Sequence, residues 1–361
     1  MAKIFGTQEQ KEKALLVGVS FDKTVTDIDG SLEELKGLAK TAGLDVVGKA
    51  FQNIKEQSPA TMIGKGKVEE VAALVQELGA DVVIIDTDLT GSQINNLHLA
   101  TGAKVIDRSM LILDIFAGRA TSNEGRLQVQ LAQLKYTLPR ISGISGSNGR
   151  FGGGVGMRGP GETKLELDKR TIKENIYKLE KQIEKLKDQR YLRRQNRHKN
   201  STKSVAIVGY TNAGKSTLMN LITKAGIYAD DKLFATLDTT TRSLWLDNGK
   251  EILLTDTVGF IDKLPHAFID AFSATLEEAA EADLLLHVID ITNPDCKNQI
   301  AVVNKVLTEL GADKLPQIMV YNKIDKNDRI FEVPQGVVCI SAKQNIGIEE
   351  LKQEIIKKLF N

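Results

Sequence analysis

The stretch that most limits what this chain can fold into is Gly209-Tyr-Thr-Asn-Ala-Gly-Lys-Ser216. An apolar run, Val205 to Val208, precedes it, and a segment with helical spacing follows it. A tight glycine-bearing turn from a buried strand straight into a helix belongs to open α/β sheets with parallel strands. Gly209 and Gly214 let the backbone curl so that its N–H groups face one anion, and the helix adds the positive end of its dipole. Further apolar runs at Glu251 to Leu254, Leu284 to Ile289, Gln317 to Val320 and Val337 to Ile340 alternate with helical segments. Residues 201–361 therefore read as a doubly wound, Ras-like domain, with the loop Gly209, Tyr210, Thr211, Asn212, Ala213, Gly214, Lys215, Ser216 and Thr217 as its phosphate cradle. In such a loop Lys215 reaches the β and γ phosphates, and Ser216 offers a hydroxyl to Mg²⁺.

Three downstream motifs narrow the ligand. Asp256-Thr-Val-Gly259 ends an apolar run, Ile252 to Leu254. An aspartate there can hold Mg²⁺ through water, and Gly259 lets a backbone N–H approach the γ phosphate. Asn322-Lys-Ile-Asp325 closes the run Gln317 to Val320. The Asp325 carboxylate can accept guanine N1–H and the exocyclic amine together, a donor pair that adenine lacks. Ser341-Ala-Lys343 follows the last run and supplies backbone support near guanine O6. The four motifs in this order are the signature of Ras-like GTPases, so a kinase or a generic ATPase is disfavoured.

Between the first two motifs lies Phe234-Ala-Thr-Leu-Asp238, with Thr239, Thr240, Thr241 and Arg242 after it. One of these threonines is expected to sense Mg²⁺ and the γ phosphate as a switch. Spacing does not choose among Thr236, Thr239, Thr240 and Thr241. The residue after Gly259 is Phe260. Many GTPases carry a glutamine there to orient the attacking water. A phenyl ring cannot do so, which predicts slow intrinsic hydrolysis and a partner that completes the site. Asn212 is either a K⁺ ligand, as in several GTPases with an apolar residue at the glutamine position, or a neutral loop filler.

The rest of the chain divides in two. Residues 1–108 alternate strand-like runs (Ala14 to Val19, Leu44 to Phe51, Asp81 to Ile85) with helical ones (Leu32 to Ala42, Val68 to Leu78, and Gln93 to Ala100 with Ser92 as its cap). They predict a small α/β domain. Residues 109–200 read as two long antiparallel helices. Leu127, Leu131, Leu134 and Leu138 line one helical face of the first. Leu165, Ile172, Ile176, Leu179, Ile183 and Leu186 step by 7, 4, 3, 4 and 3 along the second. That heptad seam is better read as packing on the preceding helix than as a dimer zipper. A glycine-dense loop, 142–161, joins them and carries Arg150 and Arg158 without an acid. The second helix ends in Arg190, Arg193, Arg194, Arg197, His198 and Lys199, which suits either a solvated linker or contact with phosphates.

Bulk properties exclude little. Net charge is +1, so charge speaks only through its distribution. Cys296 and Cys339 form no CxxC pair and read as ordinary buried thiols of a reducing compartment. The N-terminus is charged and lacks a long apolar h-region, and no run of about 18 apolar residues occurs, so neither a signal peptide nor a membrane span is expected, and the cytoplasm is the expected location. His98, His198, His266 and His287 lack ligand spacing, and His287 reads as structural.

The chain resembles the HflX GTPases of the Obg-HflX superfamily from about residue 14 onward. Ile63-Gly-Lys-Gly-Lys-Val-Glu-Glu70, Val105-Ile-Asp-Arg108 with Leu111 to Arg119, Gly152 to Glu166, and Phe234 to Asp238 carry the likeness. The resemblance implies that Thr236 is the switch threonine and a Mg²⁺ ligand beside Ser216. With Lys215 and Gly259 it would serve catalysis. The expected nucleotide contacts are then the loop, Phe234, Ala235, Thr236, Leu237, Asp238, Asp256, Thr257, Val258, Gly259, Asn322, Lys323, Ile324, Asp325, Ser341, Ala342 and Lys343. It also implies binding to the large (50S) ribosomal subunit, with the glycine-rich loop reaching toward the peptidyl-transferase region. Separation of stalled ribosomes under stress, and GTP turnover stimulated by the ribosome, follow from the same likeness. Arg150, Arg158, Arg193, Arg194 and Arg197 become candidate rRNA contacts. Two departures stand out: Thr239 replaces the family's usual proline, and Ser145 to Phe151 differs from its commoner arginine-containing pattern. The competing readings are a ribosome-assembly or RNA-remodelling factor that uses GTP as a timer, and a triphosphatase of mixed specificity. Against the second, Gly64-Lys-Gly-Lys67 is no complete phosphate loop. A monomer is expected.

Overall fold

The computed structural model describes residues 11–21, 25–141, 164–199, 202–223, 233–234, 237–247, 249–263, 278–326 and 334–360, without the side chains of 25–28 and 191–199. The glycine-rich segment 142–161, with Arg150 and Arg158, lies outside these residues, as do Ala235 and Thr236. Arg193, Arg194 and Arg197 are placed on a helix by their backbone only. The chain divides into two compact units, Met1–Ile115 with Leu134–Glu174, and Phe116–Gln133 with Asn175–Asn361.

The first unit holds a four-stranded parallel sheet of β1 (Lys13–Phe21), β2 (Asp45–Ile54), β3 (Val82–Ile85) and β4 (Lys104–Asp107), in the order β2-β1-β3-β4. Seven of the nine residues of β1 are buried in a row. A strand covered on both faces reads as a continuous apolar run. The helices α1 (Val25–Thr41), α2 (Lys65–Leu78) and α3 (Gly91–Thr101) alternate with the strands. The cap of α3 is Thr90 and not Ser92. The Thr90 hydroxyl accepts from Gln93 N–H while the Gln93 side chain accepts from Thr90 N–H. That reciprocal box needs a glutamine three residues after the cap, and only Thr90 has one.

β4 leads directly into α4 (Arg108–Arg119), and the motif at this joint is structural. Asp107 accepts from the N–H of Met110 at 2.9 Å and so caps α4. It also accepts from Leu89 N–H and the Tyr136 hydroxyl. Burial raises the Asp107 carboxyl above the usual carboxylate range, with those donors opposing it. Arg108, 2% exposed, pairs with Asp86 at 3.0 Å and with Glu34. A buried guanidinium needs such partners, because removing it from water costs several kcal/mol.

The first helical arm is not one helix. After α4 comes a break at Ala120 to Ser122 and then α5 (Asn123–Thr137). The second arm is a single helix, α6 (Lys164–Lys199). Along it Leu165, Ile172, Ile176, Leu179, Ile183 and Leu186 are buried or half-buried, while most residues between them are exposed. Arg190 of α6 pairs with Glu124 of α5 at 2.9 Å.

The second unit carries a six-stranded sheet of β5 (Lys203–Gly209), β6 (Thr240–Trp245), β7 (Glu251–Asp256), β8 (Leu284–Asp290), β9 (Gln317–Asn322) and β10 (Val337–Cys339), ordered β10-β9-β8-β5-β7-β6. All pairs are parallel except β6 with β7. The helices α7 (Lys215–Thr223), α8 (Cys296–Glu309) and α9 (Ile348–Phe360) accompany it. Ile207, Leu254, Leu286, Val320 and Leu351 lie in its core, each no more than 1% exposed. Cys296 and Cys339, expected to be buried, are only partly so. The strand order reverses at β5, the central strand whose carboxyl end opens on the loop at Gly209, the usual place for a ligand in such sheets.

Candidate functional site

The loop 209–216 runs from the end of β5 into the first turn of α7. Gly214 has φ +98°, and a Cβ there would stand 2.2 Å from Asn322 Nδ2. Only glycine satisfies both the backbone and the close approach. Asn322 in turn binds three segments together. Its Nδ2 donates to Ala213 O at 2.8 Å, and its Oδ1 accepts from Ala342 N–H at 3.0 Å. The phosphate loop, the end of β9 and the segment after β10 thus share one buried amide. Lys323, with φ +68°, donates to Asn212 O at 2.8 Å and pairs with Asp290 at 2.6 Å. Asp325 Oδ1 accepts from the Ser341 hydroxyl at 2.6 Å, which fixes the carboxylate beside Ala342 and Lys343. Ile324 begins a short 3₁₀ turn and its N–H donates to Ile340 O.

At the other side of the loop, Lys215 is 6% exposed and its Nζ donates to Gly209 O at 3.1 Å and Tyr210 O at 2.8 Å. Burial lowers its pKa to about 8, with the charge of Asp256 opposing the fall. The Ser216 hydroxyl donates to Asp256 Oδ2 at 2.7 Å. A hydroxyl and a carboxylate side by side at the end of a phosphate loop fit Mg²⁺, which takes oxygen ligands and keeps several waters. Among the described residues no group of three or more His, Cys, Asp or Glu side chains could hold a metal alone.

The segment after Asp256 is stitched to the loop. Thr211 N–H donates to Phe260 O at 2.8 Å, Phe260 N–H to Gly209 O at 3.1 Å, and Asp262 N–H to the Tyr210 hydroxyl at 2.7 Å. The Phe260 ring is 2% exposed. The Thr257 hydroxyl donates to Ile207 O, so that side chain faces the core, and Val258 is buried. Asn212 and Thr217 are exposed. His287 is buried on β8, with Nδ1 2.8 Å from Gln317 Nε2. Burial, then the nearby Lys215 charge, lowers its pKa to about 4, which keeps it neutral. Phe234 and Leu237 are buried, and the Asp238 carboxylate is engaged by Thr121 and Ser122 at the start of α5. Nothing in the sequence around Asp238 signals that pair.

Family models match most of the chain. Residues 29–117 match the family model described as GTP-binding GTPase N-terminal, and residues 119–197 that of GTP-binding GTPase Middle Region. Residues 204–323 match that of 50S ribosome-binding GTPase. GTPase HflX of Caldanaerobacter subterraneus subsp. tengcongensis is 53% identical over 350 residues, 97% of this chain and 81% of that protein. GTPase HflX of Escherichia coli K12 is 42% identical over 365 residues, 99% of this chain and 85% of that protein. Among solved structures, the complex of SsGBP with GDP has a TM-score of 0.52 at 26% identity, covering 96% of this chain and 98% of that one. A GTP-binding protein from Sulfolobus solfataricus in complex with GDP has a TM-score of 0.50 at 25% identity over the same shares. On sequence along nearly its whole length, and on a site built around one phosphate loop, the chain belongs to the HflX family of GTPases.

Proposed function

We propose that this GTPase acts on the large ribosomal subunit and separates stalled ribosomes into subunits, with hydrolysis releasing it afterwards. The observation that carries the reading is the match of residues 204–323 to a 50S ribosome-binding GTPase model, on a chain whose Phe260 is turned into the core. A buried phenyl ring orients no water, so the chain needs a partner to complete its hydrolytic site. In this reading Lys215 binds the β and γ phosphates, backbone N–H groups from Gly209 to Ser216 cradle them, and Gly259 N–H meets the γ phosphate. Asp325 reads guanine, held by Ser341, with Asn322, Lys323 and Ala342 fixing the frame. Ser216 and Thr236 would hold Mg²⁺ directly and Asp256 through water. Mg²⁺, when bound, offsets the charge on the transferring phosphoryl oxygens. Asn212, exposed on the loop, would be the ligand if K⁺ joins the site, and is otherwise a neutral loop filler. Arg150 and Arg158 of the glycine-rich loop, with Arg193, Arg194 and Arg197, would contact rRNA phosphates.

The test is GTP turnover by the protein alone, with large subunits, with small subunits and with intact ribosomes. Strong stimulation by large subunits or ribosomes but not by small subunits is expected. A chain lacking Gly149 to Gly156 should bind GTP normally and split ribosomes poorly. Stimulation by no particle, or normal splitting by the shortened chain, defeats the proposal.

A second expectation concerns pH. Phosphate binding needs the ammonium form of Lys215, whose pKa burial lowers to about 8. Above that pH binding must take up a proton from the buffer. GDP affinity should be flat from about pH 7 to 8 and then weaken toward about tenfold per pH unit. Titration calorimetry up to about pH 9 in two buffers of different ionisation heat reads both the affinity and the proton uptake. Constant affinity without proton uptake would contradict the role given to Lys215.

A further inference from the structure

Asp238, two residues beyond Thr236, has its carboxylate bound at the break between α4 and α5. Its Oδ2 accepts from Thr121 N–H at 2.8 Å, Ser122 N–H at 2.8 Å and the Thr121 hydroxyl at 2.6 Å. Its Oδ1 accepts from the Ser122 hydroxyl. That hydroxyl also accepts from Gly125 N–H at 2.9 Å, so Ser122 caps α5. The carboxylate takes the N–H of the cap residue Ser122 and that of Thr121 before it, and adds a negative charge at the positive end of the helix. The fit is close: a Cβ on Gly125 would stand 2.3 Å from Asp238 Oδ1. Burial would raise the carboxyl, but the Ser122 and Thr121 hydroxyls and N–H groups outweigh it and hold it below the usual range.

A second contact fixes the other end of the same segment. Phe234, 2% exposed with φ +54°, meets Phe116 of α4 edge to face, with ring centroids 4.6 Å apart. Phe116 is itself 1% exposed. Phe234 and Asp238 thus bracket Thr236 in the chain, and both are fastened to residues 116–122. These contacts all lie within one compact unit.

We propose that Asp238 is a positioning residue that makes the N-terminus of α5 follow the switch, so that nucleotide state and the α4–α5 break change together. The inference rests on the reading of Thr236 as the nucleotide sensor. By linkage, a partner that fixes the helical region would bias the switch by the same factor with which the nucleotide biases the helix.

The experiment is amide exchange at Thr121, Ser122 and Gly125 in the full chain, loaded either with GDP or with a non-hydrolysable GTP analogue. In the unaltered protein exchange should be about tenfold or more slower with the analogue, because an ordered switch holds the carboxylate on its donors. In Asp238→Asn, which keeps the shape and loses the charge, the two nucleotides should agree within about twofold. Gly125→Ala reaches the same end from the helix side, since its methyl displaces the carboxylate. Gly125 is no part of the phosphate loop, so GDP affinity there should stay within about twofold of the unaltered protein. A nucleotide difference that survives in both variants, or is absent from the unaltered protein, overturns the proposal. Thr236→Ala separates the two readings: normal GTP turnover in that variant removes the sensor, whereas the exchange data alone decide whether Asp238 couples switch and helix.

Discussion

Lys215→Ala is expected to lower GTP turnover by at least about 10³-fold, since it removes the one charge the loop itself aims at the transferring phosphoryl group. The expected fold change is large because the ammonium works from a buried position, where the dielectric is low and no water replaces it. The same burial makes a second, opposite effect on stability. Lys215 has a pKa lowered to about 8 by burial, so at pH 7 the folded chain bears the cost of a desolvated charge. Alanine removes that cost together with two hydrogen bonds to Gly209 O and Tyr210 O. The variant should therefore melt no lower than the unaltered protein while losing its activity. Single-turnover phosphate release at saturating GTP, beside a thermal melt, checks both. Normal turnover would mean that the loop is not the reacting site.

Asp325→Asn is expected to exchange one base for another. The carboxylate, held by the Ser341 hydroxyl, offers two acceptors to the paired donors of guanine. An asparagine offers one acceptor and one donor, so it mispairs with the guanine amine and suits xanthine, which carries a carbonyl at that place. A site built on such hydrogen bonds discriminates by about 10⁴ against a base that lacks them. GTP affinity should fall by about 10³ or more, and xanthosine nucleotides should bind in its place. The fold should tolerate the change, because the frame is carried by Asn322 and not by Asp325. Competition of labelled GDP with guanosine and xanthosine diphosphates measures the preference. An unchanged preference for guanine would move base recognition away from Asp325.

The segments proposed to hold phosphate and base stand out in the sequence because each is contiguous. Each is a run of four to eight residues whose types are set by a neighbouring strand and helix. Long-range partners were not legible. Nothing in Asp238 signals that Thr121 and Ser122 will hold it, since the pairing spans more than a hundred residues and uses ordinary surface residue types. The same break at Ala120 to Ser122 divides what reads as one helix, because the segment lacks proline and carries only isolated glycines. Strand β6 was missed because Thr240-Thr-Arg-Ser-Leu-Trp245 is polar, as an edge strand with one buried residue can be. β4, Lys104-Val-Ile-Asp107, has two apolar residues between charged ones, too short an apolar run to register, unlike the four of β3. The seam of α6, by contrast, emerged at the very residues of its heptad, since a repeat over 22 residues leaves little freedom.

The bridge between Phe260 and the loop has a consequence for how the protein can change over generations. In a strand-like bridge the backbone decides which way a side chain points, and at position 260 it points into the core. A glutamine arising there by mutation would bury its amide instead of meeting a water, and would cost stability for no gain in rate. A glutamine at this position is thus no route to faster hydrolysis while the backbone keeps this bridge. Under the proposed reading, hydrolysis then stays on the partner's timing until a change repositions the backbone segment that carries Phe260.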